Sequence, residues 1–263
     1  MQAYSVAAVD YAVDVLLAVA EMPDQGVSEI ARRLGGSKQR IFRMLRTLEA
    51  RGLLVRDAAS KGYRLGFLAL TLGTSAQEQN DLARLAGPLI RALTEATQET
   101  VQLRIRDGGE TVCIAKSEPK RDVRVNVMVG RKSPLHVGSS KMFLADMPGE
   151  DAERIIAAGL RRFTPNTITD PDRLRARLAA IRSDGHCVSR GEMSVDLVSI
   201  TAPVFDAGGR LSATINVAAP AARVTDERAT EILRLAKDAA QQLSQLLGHI
   251  APPDFRDSTR TGI

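Results

Sequence analysis

Apolar residues recur at helical spacing from the start of the chain: Val6, Val9, Val13, Leu16 and Leu17 form a stripe, with Ser5 placed as its N-cap. The pattern stops near Met22-Pro23, where proline cannot continue a helix. A short second helix is predicted over Val27–Leu34, with Ile30, Ala31 and Leu34 on one face. Gly35-Gly36 breaks the chain, and Ser37 then caps a third helix striped by Ile41, Met44, Leu45 and Leu48. Gly52 suits the position just past its end. Leu53–Val55 and Tyr63–Leu65 flank the polar turn 56–62 and predict a hairpin. Three helices with a glycine turn before the third, followed by a hairpin, make a winged helix-turn-helix over residues 1–66.

The pattern changes character after this unit. Phe67 to about Arg84 has few breakers and reads as a helix, of which 67–81 is taken as a linker, and 82–250 as a second domain. With no Gly/Ser tract between them, the two domains are expected to move as coupled bodies. Leu82, Leu85, Leu89 and Leu93 stripe an amphipathic helix interrupted at Gly87-Pro88. From Thr100 the period becomes two: Val101, Leu103 and Ile105 alternate with Gln102, Arg104 and Arg106, and Asp107-Gly108-Gly109 turns into a partner strand, Thr111–Ala115. A third strand is predicted over about Val123–Val129, helical segments over 138–158 and 171–183, and strands at His186–Ser189, Leu197–Phe205 and Leu211–Ala218. A long helix capped by Thr225 closes the domain, and the polar tail 251–263 is expected to fray. Strands grouped around helices indicate an α+β sheet domain, not a doubly wound one.

Charge sharpens the picture by its position. The 263 residues carry 36 basic and 31 acidic side chains, a net +5. Residues 32–64 alone carry ten bases against Glu49 and Asp57, a net +8, whereas 1–31 carry five acids and no base. A basic excess confined to the third helix and wing is the footprint of a polyanion-binding surface. The N-terminal half of that helix would enter the major groove of double-stranded DNA. There Gln39 offers paired donor and acceptor groups to an adenine, and Arg40 or Arg43 forks to a guanine. Ser37, Lys38, Arg46, Lys61 and Arg64 complete the candidate DNA-binding set; the bases among them suit phosphates, which position the protein without reading sequence.

Composition excludes more than it assigns. With 44% hydrophobic and 25% charged residues, the chain is globular, not collagenous or disordered. The apolar run Val15–Ala20 is far short of a membrane span and follows Asp10 and Asp14, unlike a signal peptide. Cys113 and Cys187 are too few and too separated for a disulfide framework, so a cytoplasmic protein with two reduced thiols is expected.

Residues 27–66, VSEIARRLGGSKQRIFRMLRTLEARGLLVRD followed by GYRLG, resemble the IclR family of bacterial transcriptional regulators, as do PLHVGSSKMFLA at 134–145, GEMSVDLVSITAPVFDAGG at 191–209 and NVAAPAARVT at 216–225. The resemblance implies a GAF-like C-terminal domain, an antiparallel sheet flanked by helices with a small-molecule pocket. It implies a DNA-binding regulator, in the repressor sense, responding to a small organic acid, aromatic acids included. It also implies a homodimer or a dimer-of-dimers tetramer, for which the first helix, apolar on more than one side, offers surface. The acid would lie against Gly138, Ser139 and Ser140, ahead of a helix whose N–H groups suit a carboxylate. Ser189, Ser199 and Asn216 map to further pocket positions. Ser140 stands where the family usually has Gly, and Asp196 where Gly is common; an inward Asp196 would disfavour an anion.

No catalytic residue, cofactor or metal is expected. There is no G-x-S-x-G elbow, HExxH, P-loop or GxGxxG, and His136 reads as a hydrogen-bonded loop histidine. His186 and Cys187 would point to opposite faces of a strand. The competing readings are a small-molecule enzyme with an accessory helix-turn-helix, and a regulator whose sensor domain only oligomerises.

Overall fold

The computed structural model describes residues 6–78 and 81–249. It divides into two compact units, Met1–Asn80 and Asp81–Ile263. The Ser5 cap, residues 79–80 of the linker and the tail 251–263 lie outside the described residues.

The first unit runs α1 (Ala7–Glu21), α2 (Val27–Leu34), α3 (Lys38–Ala50), β1 (Leu54–Arg56), β2 (Tyr63–Leu65) and α4 (Phe67–Glu78). Local signals set its corners. The Glu29 carboxylate accepts from Gly26 N–H (2.7 Å) at the start of α2. Gly35 ends that helix at φ +63°, in the left-handed region that favours glycine. At the end of α3, Gly52 N–H donates to Glu49 O and Leu53 N–H to Leu48 O, both 2.9 Å, the paired bonds of a Schellman motif. Ile30, Ile41, Leu45 and Tyr63 are fully buried in the core these elements share.

The core face of α1 differs from the sequence expectation. Val15, Ala18 and Val19 are buried, while Val6, Val9, Val13 and Leu17 are 47–62% exposed. The helix carries two apolar stripes, and periodicity alone gave no preference between them; the small core takes the one continuing from Tyr11.

The second unit holds α5 (Asp81–Thr97), β3 (Thr100–Asp107), β4 (Glu110–Ser117), β5 (Lys132–Pro134), a 3-10 turn (Gly138–Ser140), α6 (Lys141–Asp146), α7 (Gly149–Ala157) and α8 (Pro171–Asp184). It continues with β6 (Cys187–Arg190), β7 (Leu197–Phe205), β8 (Leu211–Pro220) and α9 (Asp226–Leu246). The described strands form an antiparallel sheet in the order β5-β4-β3-β8-β7-β6. Alternate residues of β3, β7 and β8 (Val101 and Leu103, Ile200 and Ala202, Ile215 and Val217) join α5 and α9 in one core. A second core links α6, α7 and α8. Cys187 belongs to the second and Val188 packs on the first, so the cores cover opposite faces of the sheet.

Two expectations are corrected here. Pro88 lies inside α5, which runs through it; Ala83 and Ala86 before it and Ile90 and Leu93 after it bury on one face, and that packing outweighs the missing N–H. The helical segments expected over 138–158 are the 3-10 turn, α6 and α7, with a break at Met147-Pro148. Residues 123–129 form no strand. The carbonyls of Val123, Val125 and Val127 accept from the side chains of Arg223 (3.1 Å), Thr100 (2.7 Å) and Lys116 (2.5 Å), in place of a strand ladder, and the short β5 pairs with β4.

Candidate nucleic-acid interface and ligand cavity

In the first unit, Ile41, Leu45 and Leu48 turn one face of α3 into the core and leave its N-terminal half open. Ser37 Oγ accepts from Arg40 N–H (3.3 Å) and fixes where the helix starts. Lys38, Gln39 and Arg43 are exposed. Arg40 is engaged differently: its guanidinium lies 4.0 Å over the Tyr11 ring of α1. Gly36 makes room for that ring, since a Cβ there would collide with Tyr11 Oη. Arg46 pairs with Glu49 (3.1 Å).

The wing is pinned at its tip and its root. Asp57 Oδ1 accepts from Ser60 N–H (2.7 Å), Ser60 Oγ (3.0 Å) and Ala59 N–H (3.0 Å). These bonds hold the Asp57 carboxyl below the usual carboxylate range. Lys61 follows at φ +60° with its side chain exposed. At the root, Arg64 donates through Nε (2.5 Å) and Nη2 (2.9 Å) to Asp24. The whole expected set is thus exposed: Lys38, Gln39, Arg43 and Lys61 without a side-chain ion pair among the described residues, Ser37 as the helix cap, and Arg40, Arg46 and Arg64 with partners within the protein.

In the second unit, the sheet face opposite α5 and α9 carries polar residues in register: Gln102 of β3 lies across from Asn216 of β8, and Asn216 across from Thr201 of β7. Thr201 Oγ1 donates to Asn216 Oδ1 (3.0 Å). Over this face opens a cavity of about 450 Å³. The sheet contributes Gln102, Arg104, Ser199 and Asn216 to its wall, and the turn Gly138–Ser140 and the segment 123–127 close it. Ser189 is buried on β6 across from Ser199 but is not among the lining residues. Asp196 lines the cavity and is exposed.

The turn at Gly138 already faces a carboxylate of the protein. Gly138 N–H donates to Glu192 Oε2 (3.2 Å), and Glu192 Oε1 pairs with the fully buried ammonium of Lys141. Ser140 Oγ bonds Thr111 Oγ1 (2.7 Å). His136 Nε2 bonds the carbonyl of Arg161 (2.9 Å), as expected for a structural loop histidine. Among the described residues no cluster of His, Cys, Asp or Glu is placed to hold a metal.

Sequence reasoning missed Arg104, Lys141 and Glu192. Arg104 sat in a visible alternation with Val101, Leu103 and Ile105, but alternation does not tell a solvated polar face from one roofed by distant segments.

The helix-turn-helix domain of IclR regulators matches residues 8–58, and the C-terminal domain of bacterial transcriptional regulator IclR matches 74–245. The HTH-type transcriptional regulator KipR of Bacillus subtilis is 34% identical over 229 residues, covering 86% of this chain and 91% of that protein. The HTH-type transcriptional repressor AllR of Escherichia coli is 32% identical over 229 residues, covering 86% and 84%. The crystal structure of an IclR transcriptional regulator from Alicyclobacillus acidocaldarius is similar with a TM-score of 0.85 at 28% identity, covering 93% of this chain and all of that one. An IclR homolog from Microbacterium hydrocarbonoxydans complexed with 4-hydroxybenzoate shares the fold, with a TM-score of 0.76 at 23% identity over 91% of this chain and all of that one.

Proposed function

Because the chain belongs to the IclR family of bacterial transcriptional regulators, we propose that it is a repressor whose grip on a double-stranded operator is set by a small organic acid bound in the second unit. The observation that carries the DNA half is the open N-terminal half of α3, where Lys38, Gln39 and Arg43 are exposed on a helix whose start is fixed by Ser37. Arg43 and Gln39 suit base edges; Lys38 and Lys61 suit phosphates. The repressor sense is supported by AllR, a named repressor. The acid is supported by the cavity, whose charged lining residues are Arg104, Arg124, Arg131 and Asp196, Arg124 being paired with Glu118 behind it, and by the homolog that holds 4-hydroxybenzoate. A ligand can shift operator affinity only by binding two arrangements differently, typically by about 1–3 kcal/mol.

The protein is proposed to work as a homodimer or a dimer of dimers. The second apolar stripe of α1, Val6, Val9, Val13 and Leu17, supports this, since four neighbouring exposed aliphatic side chains are more than an isolated small core leaves over. Selection of binding sites from random DNA, followed by footprinting with and without a panel of carboxylic acids, tests the reading. Salt-dependent operator binding with an acid-dependent footprint supports it. Operator binding with no acid-dependent footprint and no ligand-induced melting shift would leave the second unit as an oligomerisation module.

A further inference from the structure

We propose that the Arg104 guanidinium, with Gln102 beside it, is the group that takes the carboxylate of the acid in this cavity, in place of the Gly138–Ser140 turn; this rests on reading the cavity as an effector site. Arg104 lies on β3 between core-facing Leu103 and Ile105, so it points to the cavity face of the sheet. It is 4% exposed. All of its hydrogen bonds run to neutral acceptors. Nε donates to Thr111 Oγ1 (3.2 Å) and Nη1 to Gln102 Oε1 (3.2 Å). Nη2 donates to Thr111 O (3.1 Å), Thr111 Oγ1 (3.0 Å) and Arg131 O (3.3 Å). Among the described residues no carboxylate reaches it, and Nη1, with two hydrogens, makes one bond.

A guanidinium shut from water without a counter-charge is an unfavourable arrangement in an isolated fold, and burial first, with the charge of Arg131 added, pulls its pKa below the usual arginine value. It stays charged, because no protein environment deprotonates arginine at neutral pH. A second positive charge that acts on it, Arg131, lines the same cavity and deepens the attraction for an anion. The first donor of the alternative seat is taken: Gly138 N–H already serves Glu192. The rest of the wall mixes apolar side chains (Val125, Val127, Val137, Leu197) with polar ones (Ser133, Ser199, Asn216). A cavity of about 450 Å³ with one buried guanidinium and a wall of mixed apolar and polar side chains fits a small carboxylic acid, one ring or a short chain.

The test uses the full chain as wild type, Arg104→Met and Arg104→Lys, with formate, benzoate and 4-hydroxybenzoate against formamide, benzamide and 4-hydroxybenzamide at matched chloride. Thermal melting and titration calorimetry are the readouts. Wild type is expected to bind and be stabilised by the acids over their amides. Arg104→Met should lose at least tenfold in affinity for the acids and lose the preference over the amides. Arg104→Lys, which keeps the charge without the fork, should fall between them and keeps the test alive if the Met variant fails to fold. Acids bound as tightly by both variants as by wild type would overturn the role of Arg104 and leave the effector reading standing. If no acid shifts the wild-type melt while its amide does not either, both readings fall.

Discussion

Lys141 and Glu192 form an ion pair in which the ammonium is fully buried and the carboxylate nearly so. Glu192 also receives Gly138 N–H, and its backbone carbonyl accepts from Thr167 Oγ1 (2.7 Å). One carboxylate thus ties the start of α6 to the loop after β6. Removing one member of such a pair leaves an uncompensated charge in the interior, which costs about 3–5 kcal/mol, whereas removing both is far milder. Lys141→Met is expected to destabilise the second unit by about that amount, and Lys141→Met with Glu192→Leu to recover most of it. Urea unfolding of the two variants checks this. Equal stability of wild type and Lys141→Met would show the pair to be dispensable.

The open half of α3 predicts an ordering among arginines that charge counting misses. Arg43→Ala is expected to weaken binding to the selected operator by about 1–3 kcal/mol and to relax preference at one base pair. Lys61→Ala should weaken operator and random DNA alike, and lower the salt slope by about one. Arg64→Ala should change the salt slope least, since its guanidinium is held by Asp24 at two contacts. Binding isotherms at several salt concentrations measure all three. An Arg64 effect as large as that of Lys61 would mean the Asp24 pair opens on DNA.

Much of the first unit was legible because its signals are local. Ser37, Gly35 and Gly52 each act through one or two backbone bonds, and each does so where the sequence places it. The α1 stripe was misread because two apolar faces have the same period, and only packing against α2, α3 and the wing decides which is buried. The segment 123–127 misled in the opposite way. Its valines look like strand residues, but its carbonyls are claimed by side chains from Thr100, Lys116 and Arg223, up to a hundred residues away. Arg104 and Glu192 belong to the same class of non-local facts. Their chemistry is invisible until β3, the 3-10 turn and the loop after β6 are brought around one cavity.

The two thiols should be silent in the folded protein. Burial pushes both Cys113 and Cys187 above the ordinary thiol value, the second despite the nearby charges of Lys141 and Arg177. A raised pKa lowers the thiolate fraction at any pH below it, and the thiolate is the reactive form. Treatment of native protein at pH 8 with a chromogenic disulfide reagent is expected to modify neither, and unfolding in urea to release both. Rapid stoichiometric reaction in the native state would contradict the burial of these side chains.

Asn216 offers a separable handle on the cavity. Its Oδ1 is engaged by Thr201 Oγ1 at 3.0 Å, which orients the amide and leaves the two Nδ2 hydrogens as its remaining donors in a wall it shares with Gln102 and Ser199. Asn216→Ala is therefore expected to lower affinity for a bound acid by roughly 1.5–3 kcal/mol, the range for a hydrogen bond to a charged group, while operator binding without acid stays near wild type. Thr201→Val keeps the amide but removes what orients it, so its effect should have the same sign and be smaller. Calorimetry with the acids that wild type binds, paired with footprinting of the acid-free variants, separates the outcomes. If Asn216→Ala weakened operator binding in the absence of acid as much as it weakened the acid, Asn216 would be holding the sheet together and not the ligand, and the polar row from Gln102 to Thr201 would have to be read as buried structure.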